Sequence, residues 1–130
     1  MKYQVRPGAQ SGQALAEFAL VAPCAVFLLA GLLQAGWLAW GGSVARTAAA
    51  RALRAAAVAP PASRSAIARL TAWREARGPG IRPLWVSTLP LPANRLAVTV
   101  RVLVPRLVPL LSRVASGGAA WPMEPGSASP

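Results

Sequence analysis

"FALVAPCAVFLLAGLLQAGWLAW", residues 18–40, decides the fold: 23 residues without a charge, among which Gln34 is the only strongly polar side chain. Wound as an α-helix at about 1.5 Å per residue, the run reaches roughly 35 Å, enough for a hydrocarbon core of about 30 Å. A cleaved secretory signal has an apolar region of only about 7 to 15 residues. The small residues Ser43-Val44-Ala45 resemble a cleavage site, but the length rule makes this run a retained membrane span, expected over 13–42. Gly31, Ala35 and Ala39 recur every fourth residue and line one face, where small side chains let another helix approach closely. Trp37 and Trp40 stand where an aromatic belt meets the far interface. Pro23 is expected to bend the helix near its start, and Cys24 reads as a small apolar filler.

Beyond the span, Gly41-Gly42 reads as a hinge and Ser43 as the N-cap of an alanine-rich helix, "SVARTAAARALRAAAVA" (43–59). Pro60-Pro61 ends it, Ser63 caps a second helix to about Arg77, and Gly78-Pro79-Gly80 stops that one. Its apolar face is expected at Ile67, Leu70 and Trp73, with Arg74 and Arg77 at the edge. Residues 43–80 thus form an arginine/alanine-rich helical region.

From residue 81 to 115 the period changes. Leu96, Val98, Val100, Val102 and Val104 alternate with their neighbours, the mark of a half-buried strand. A weaker strand spans Leu84 to Leu89, and Leu91-Pro92-Ala93-Asn94 connects the two as an antiparallel hairpin. "RLVPLLSR" (106–113) is apolar but broken by Pro109, and its state stays open. Residues 116–130, small residues and proline with Trp121 as the one large anchor, read as a flexible tail. The expected architecture is a membrane-anchored α+β protein: one long N-terminal transmembrane helix with a helical extension, then a small domain with a short β-hairpin.

Composition narrows the function. In 130 residues there are 14 Lys+Arg against 3 Asp+Glu, yet 55% of residues are hydrophobic, which no disordered basic tail would show. No histidine and one cysteine exclude a His/Cys metal site, an internal disulfide and a Ser-His-Asp or Cys-His pair. The three carboxylates lie in separate segments, so no paired acid/base site is expected, no cofactor is implied, and the protein reads as a non-enzyme. Nucleic-acid binding needs arginines gathered on one surface. Here they are scattered singly, and no phosphate loop, zinc spacing or aromatic RNA-binding signature accompanies them. A solubilising face attracted to anionic lipid is the simpler reading.

Glu17 stands at the mouth of the apolar run. A charge at the centre of a bilayer helix costs about 2.5–3.5 kcal/mol on insertion scales, and less near the end of the span. A carboxylate there asks for a cationic partner. Cutting the chain after Gly12 would create an α-amino group on Gln13, four residues and one helical turn from Glu17. The same carboxylate could match the amine of an adjacent subunit and so fix the stagger of packed helices.

Gly12, Gln13-Ala14-Leu15-Ala16 and Glu17-Phe18 resemble the prepilin processing motif of Flp pili. The longer "GQALAEFALVAP", followed by the apolar helix with Gly31 and by "RTAAARALRAAAVA", resembles TadE-like minor pilins of the tight-adherence system over residues 12 to 58. The resemblance implies a cytoplasmic prepilin leader over 1–12 carrying Lys2 and Arg6, with Gly12 before the peptidase cut and Gln13 as the mature N-terminus. Glu17 would then serve recognition or assembly, with Phe18 completing the motif. It further implies an inner-membrane, single-pass pilin or pseudopilin with its C-terminal domain outside, incorporated into a pilus. Its partners would be membrane lipid, a prepilin peptidase, other pilin subunits and the inner-membrane assembly proteins. Charge alone points the other way on orientation, with two cations before the span and Arg46, Arg51 and Arg54 soon after it. Two further readings stay open: an uncleaved single-pass accessory protein of a secretion system, and a DNA-binding minor pilin.

Overall fold

The computed structural model describes residues 8–122 except 93. The leader residues 1–7 and the tail residues 123–130 therefore lie outside the described part.

Helix α1 runs unbroken from Gly8 to Ala57, 50 residues with Pro23 inside. At about 1.5 Å per residue it is roughly 75 Å long, so one rod serves as both the apolar segment and the spine of the domain. The hinge expected at Gly41-Gly42 and the helix start expected at Ser43 are not there. A helical glycine costs about 1 kcal/mol relative to alanine, and tertiary packing offsets this at Gly41. A Cβ at Gly41 would come within 2.5 Å of Val104 Cγ1 and 3.1 Å of the Ala115 side chain, so this glycine is a notch that lets the sheet approach the rod.

The helix ends where Val58 leads into Pro60-Pro61, and Ala59 N–H donates to the Ala56 carbonyl at 3.2 Å. A short 3-10 turn, Pro61–Ser63, leads into α2, Arg64–Glu75. Ser63 holds the N-cap position as expected, but its hydroxyl donates to the Pro60 carbonyl and makes no cap hydrogen bond.

The face that α2 buries is Ala68 and Ala72, continued by Ala76 at its C-cap, while Leu70 and Trp73 stay largely outside. This corrects the expected Ile67/Leu70/Trp73 face. The buried surface of α1 in the domain is also mostly alanine: Ala45, Ala48, Ala49, Ala52 and Ala56 are buried, with Leu53 as the one large side chain. Two small-residue faces permit close helix approach, and the bulky residues of α2 fall outside that seam. Arg51 and Glu75 close its exposed edge with an ion pair.

Strands β1 (Arg82–Leu91), β2 (Arg95–Leu103) and β3 (Val114–Pro122) form an antiparallel sheet in the order β1-β2-β3. The connection after β1 turns at Asn94, the one non-glycine with positive φ among the described residues (φ 52°). Strands β1 and β2 are the expected hairpin, with a register irregularity between Pro83 and Trp85. Strand β3 is an addition: residues 114–122 pair along the whole of β2, from Leu103↔Val114 to Arg95↔Pro122, where a loose tail was expected from 116. Its sequence, VASGGAAWP, has low β-propensity. Pairing with β2 and contact with α1 hold it instead. A Cβ at Gly117 would fall 2.5 Å from the Arg46 backbone nitrogen, so only glycine allows β3 to lie against the helix.

The alternating residues of β2, with Val104 just beyond its end, form the centre of the core: Leu96, Val98, Val100, Val102 and Val104 are buried between the sheet and the helices. Burying one such valine stabilises the fold by about 1.5–3 kcal/mol.

Candidate functional site: the bare half of the long helix

The domain covers only part of α1. From Leu15 to Leu33 the large apolar side chains face outward, including Phe18, Leu20, Val21, Val26, Phe27, Leu28, Leu29 and Leu32. This helix is long and apolar enough to cross a membrane. In water such a surface would be a large exposed apolar patch of the kind that marks contact with lipid or protein.

At the N-terminal mouth of the bare segment Gly12, Gln13, Glu17 and Phe18, the residues of the expected processing motif, all lie on one continuous helix. Gly12 is exposed, and the Gln13 side-chain amide donates to the Glu17 carboxylate at 3.1 Å across one turn. The four-residue spacing thus brings the two positions together. Phe18 follows, 71% exposed.

The Gly31/Ala35/Ala39 face is also open. Ala35 and Ala39 are exposed, Gly31 is half-buried, and nothing lies within 4 Å of where a Gly31 Cβ would sit. The domain docks on a different stripe, made of Gln34, Gly41, Ala45, Ala48 and Ala52. These are spaced by seven, four, three and four residues, which keeps them on one helical face. The 31/35/39 stripe is left uncovered by the domain.

Gln34 is the residue whose importance the sequence hides. It is fully buried, the only buried polar or charged residue among those described. Its side-chain amide nitrogen donates to the carbonyls of Pro105 and Ser112, each at 3.3 Å, and its oxygen accepts from the Leu107 backbone N–H at 2.8 Å. One glutamine therefore satisfies three backbone groups of the loop between β2 and β3, more than seventy residues away in sequence. The available signal was its helical register with the small-residue stripe at 41, 45, 48 and 52. Above it, Trp37 and Trp40 sit against each other with ring centroids 5.2 Å apart and planes tilted by 59°.

Five arginines of the domain are engaged one at a time. Arg51 pairs with Glu75, and Arg101 lies over the Trp85 ring at 5.4 Å. Arg64, Arg95 and Arg106 donate to the nearby carbonyls of Ala59, Pro92 and Val108. Among the described residues no group of three His, Cys, Asp or Glu side chains gathers in a metal-binding cluster.

Residues 12–57 match the family described as TadE-like protein. The matched segment ends with α1, so α2 and the sheet lie outside it. No curated protein and no solved structure matches the chain.

Proposed function

We propose that this chain, TadE-like over residues 12–57, is a minor pilin or pseudopilin that takes part in assembling a Flp-type tight-adherence pilus. The observation that carries the reading is the arrangement at the mouth of the bare helix. A glycine, a glutamine and a glutamate one turn beyond it precede an apolar rod with no cover of its own. Cleavage after Gly12 would place a new amine beside the Glu17 carboxylate, and the bare rod would pack against the rods of other pilins. The free Gly31/Ala35/Ala39 stripe supports close helix contact in that packing. The role is structural: the chain brings a docking rod and a small outer domain, and no chemistry of its own. The domain faces away from the cytoplasm, the protein sits in the inner membrane before incorporation, and a prepilin peptidase and the assembly proteins are its partners. Nucleic acid is left out of this reading, because the arginines are scattered singly along the sequence and Arg51 and Arg101 are engaged within the chain.

The alternative is an uncleaved membrane-anchored accessory protein, in which the Gly12–Gln13 peptide would stay intact within the helix that holds it here.

Co-expression with a prepilin peptidase, followed by mass spectrometry of the intact chain, separates the two. The pilin reading expects a mature chain beginning at Gln13. It also expects Glu17→Gln to reduce fibre incorporation. An intact Met1 in the presence of active peptidase would favour the uncleaved anchor.

A further inference from the structure

The height of each part of the domain along α1 can be read from its contacts. Near the far end, Ala119, Ala120 and Trp121 share a groove with Leu53, Ala57 and Val58. Lower down, Gly117 lies against Ala45 and Arg46, and Ala115 and Val104 lie against Gly41. Lower still, Pro105, Leu107 and Ser112 meet Gln34. Strand β3 therefore rises along the helix from Val114, and the β2–β3 loop that precedes it is the part of the domain nearest the bare segment.

Gln34 is 17 residues beyond Glu17, so the two are about 26 Å apart along the rod. A hydrocarbon core is about 30 Å thick. With the carboxylate at one boundary, Gln34 and the loop it holds stand at the other.

The loop is built for that level. Leu107, Leu110 and Leu111 are 48%, 94% and 43% exposed, with Arg106 and Arg113 exposed on either side. Backbone polar groups are costly in hydrocarbon unless they are paired. Here Gln34 pairs the Pro105 and Ser112 carbonyls and the Leu107 N–H, the Leu111 N–H donates to Val108, and the Val104 N–H donates to Arg113.

From this we infer that residues 106–113 form a second membrane contact, a loop that dips into the bilayer beside the spanning helix. Leu107, Leu110 and Leu111 enter the acyl boundary, and Arg106 and Arg113 meet the lipid phosphates. Gln34 pins the loop to the span, so that the domain stands on the membrane at a fixed height and orientation. Trp37 and Trp40, three and six residues above Gln34, occupy the headgroup level on the same rod.

The inference rests on the helix spanning a bilayer, and the test keeps the two apart. The full chain is placed in phosphatidylcholine/phosphatidylglycerol vesicles with an environment-sensitive fluorophore on a single cysteine. The positions are the native Cys24 in the bare segment, Leu110→Cys in a Cys24→Ser background, and Val58→Cys in the same background as the aqueous reference. Leu110 and Val58 are both almost wholly exposed, so neither change disturbs packing. The label at 110 is expected to emit to the blue of the label at 58. It should be quenched by a lipid-borne nitroxide and resist aqueous iodide, as the label at 24 does. Iodide quenching at 110 equal to that at 58, with 24 still shielded, would overturn the loop inference and leave the span intact. Iodide quenching at 24 would remove the span and the loop contact together. Shielding of 110 from both quenchers, with cross-linking between chains through that position, would assign the loop to a second copy and overturn the lipid contact.

Discussion

The two halves of α1 are one helix under two different burial rules. Below Gln34 the side chains are large and outward: Leu20, Phe27, Leu28 and Leu32 have nothing of their own chain to pack on. Above it they are small and inward, with Gly41, Ala45, Ala48, Ala52 and Ala56 letting α2 and the sheet approach the rod closely. The row of large apolar side chains below Gln34 thus marks a surface that the chain leaves uncovered. The Gly41/Ala45/Ala48/Ala52 stripe marks the surface the chain covers itself, and Gln34 is the border between them.

Substitutions that force the covered half open should have the largest effect. Gly117→Val drives a side chain into the Arg46 backbone, which cannot yield as a flexible side chain would. It should lower domain stability by about 3 kcal/mol, the upper end of overpacking costs, read as a shift in the urea midpoint monitored by tryptophan fluorescence. Val100→Ala removes two methyl groups from the centre of the core and should cost about 2 kcal/mol in the same assay. At the border, Gln34→Leu keeps an apolar helix but strands three backbone groups of the loop. A loss of about 1–3 kcal/mol is expected, with faster amide exchange at Leu107 as the local readout. At the exposed edge of the α1–α2 seam, Arg51→Ala breaks one surface ion pair and should shift stability by less than about 1 kcal/mol. In the bare half, Leu29→Ala should leave the domain's urea midpoint unchanged, because Leu29 is 59% exposed on the uncovered segment; a clear shift there would erase the contrast between the halves.

The legible parts of the sequence were those in which large side chains repeat. The uncharged run from Phe18 to Trp40 announced the apolar rod, and the valines from 98 to 104 announced β2 and its hairpin partner. What was hidden depends on small residues. Strand β3 contains two glycines and three alanines and carries no alternation to read. The α2 face was misplaced because Leu70 and Trp73 drew attention from Ala68, Ala72 and Ala76, which the close α1 approach selects. Gly41 looked like a hinge because a glycine pair inside a helix has the same appearance whether it bends or admits a neighbour. Of the candidate site, the Gln13–Glu17 proximity followed from helical spacing alone. Gln34 did not, because its three partners lie more than seventy residues away.

Leu29, Leu32, Ala39, Ser43 and Thr47 are all exposed on α1, so in each case only an outside phase can shield them. In a Cys24→Ser chain held in lipid nanodiscs, with both faces open to solvent, single cysteines at these positions can be challenged with a membrane-impermeant thiol reagent. Positions 29 and 32 should resist, 43 and 47 should react, and 39, at headgroup level between Trp37 and Trp40, should react at an intermediate rate, which puts the change just above Gln34. Ready reaction at 29, or protection continuing unbroken through 47, would contradict a helix divided between lipid and domain at that residue.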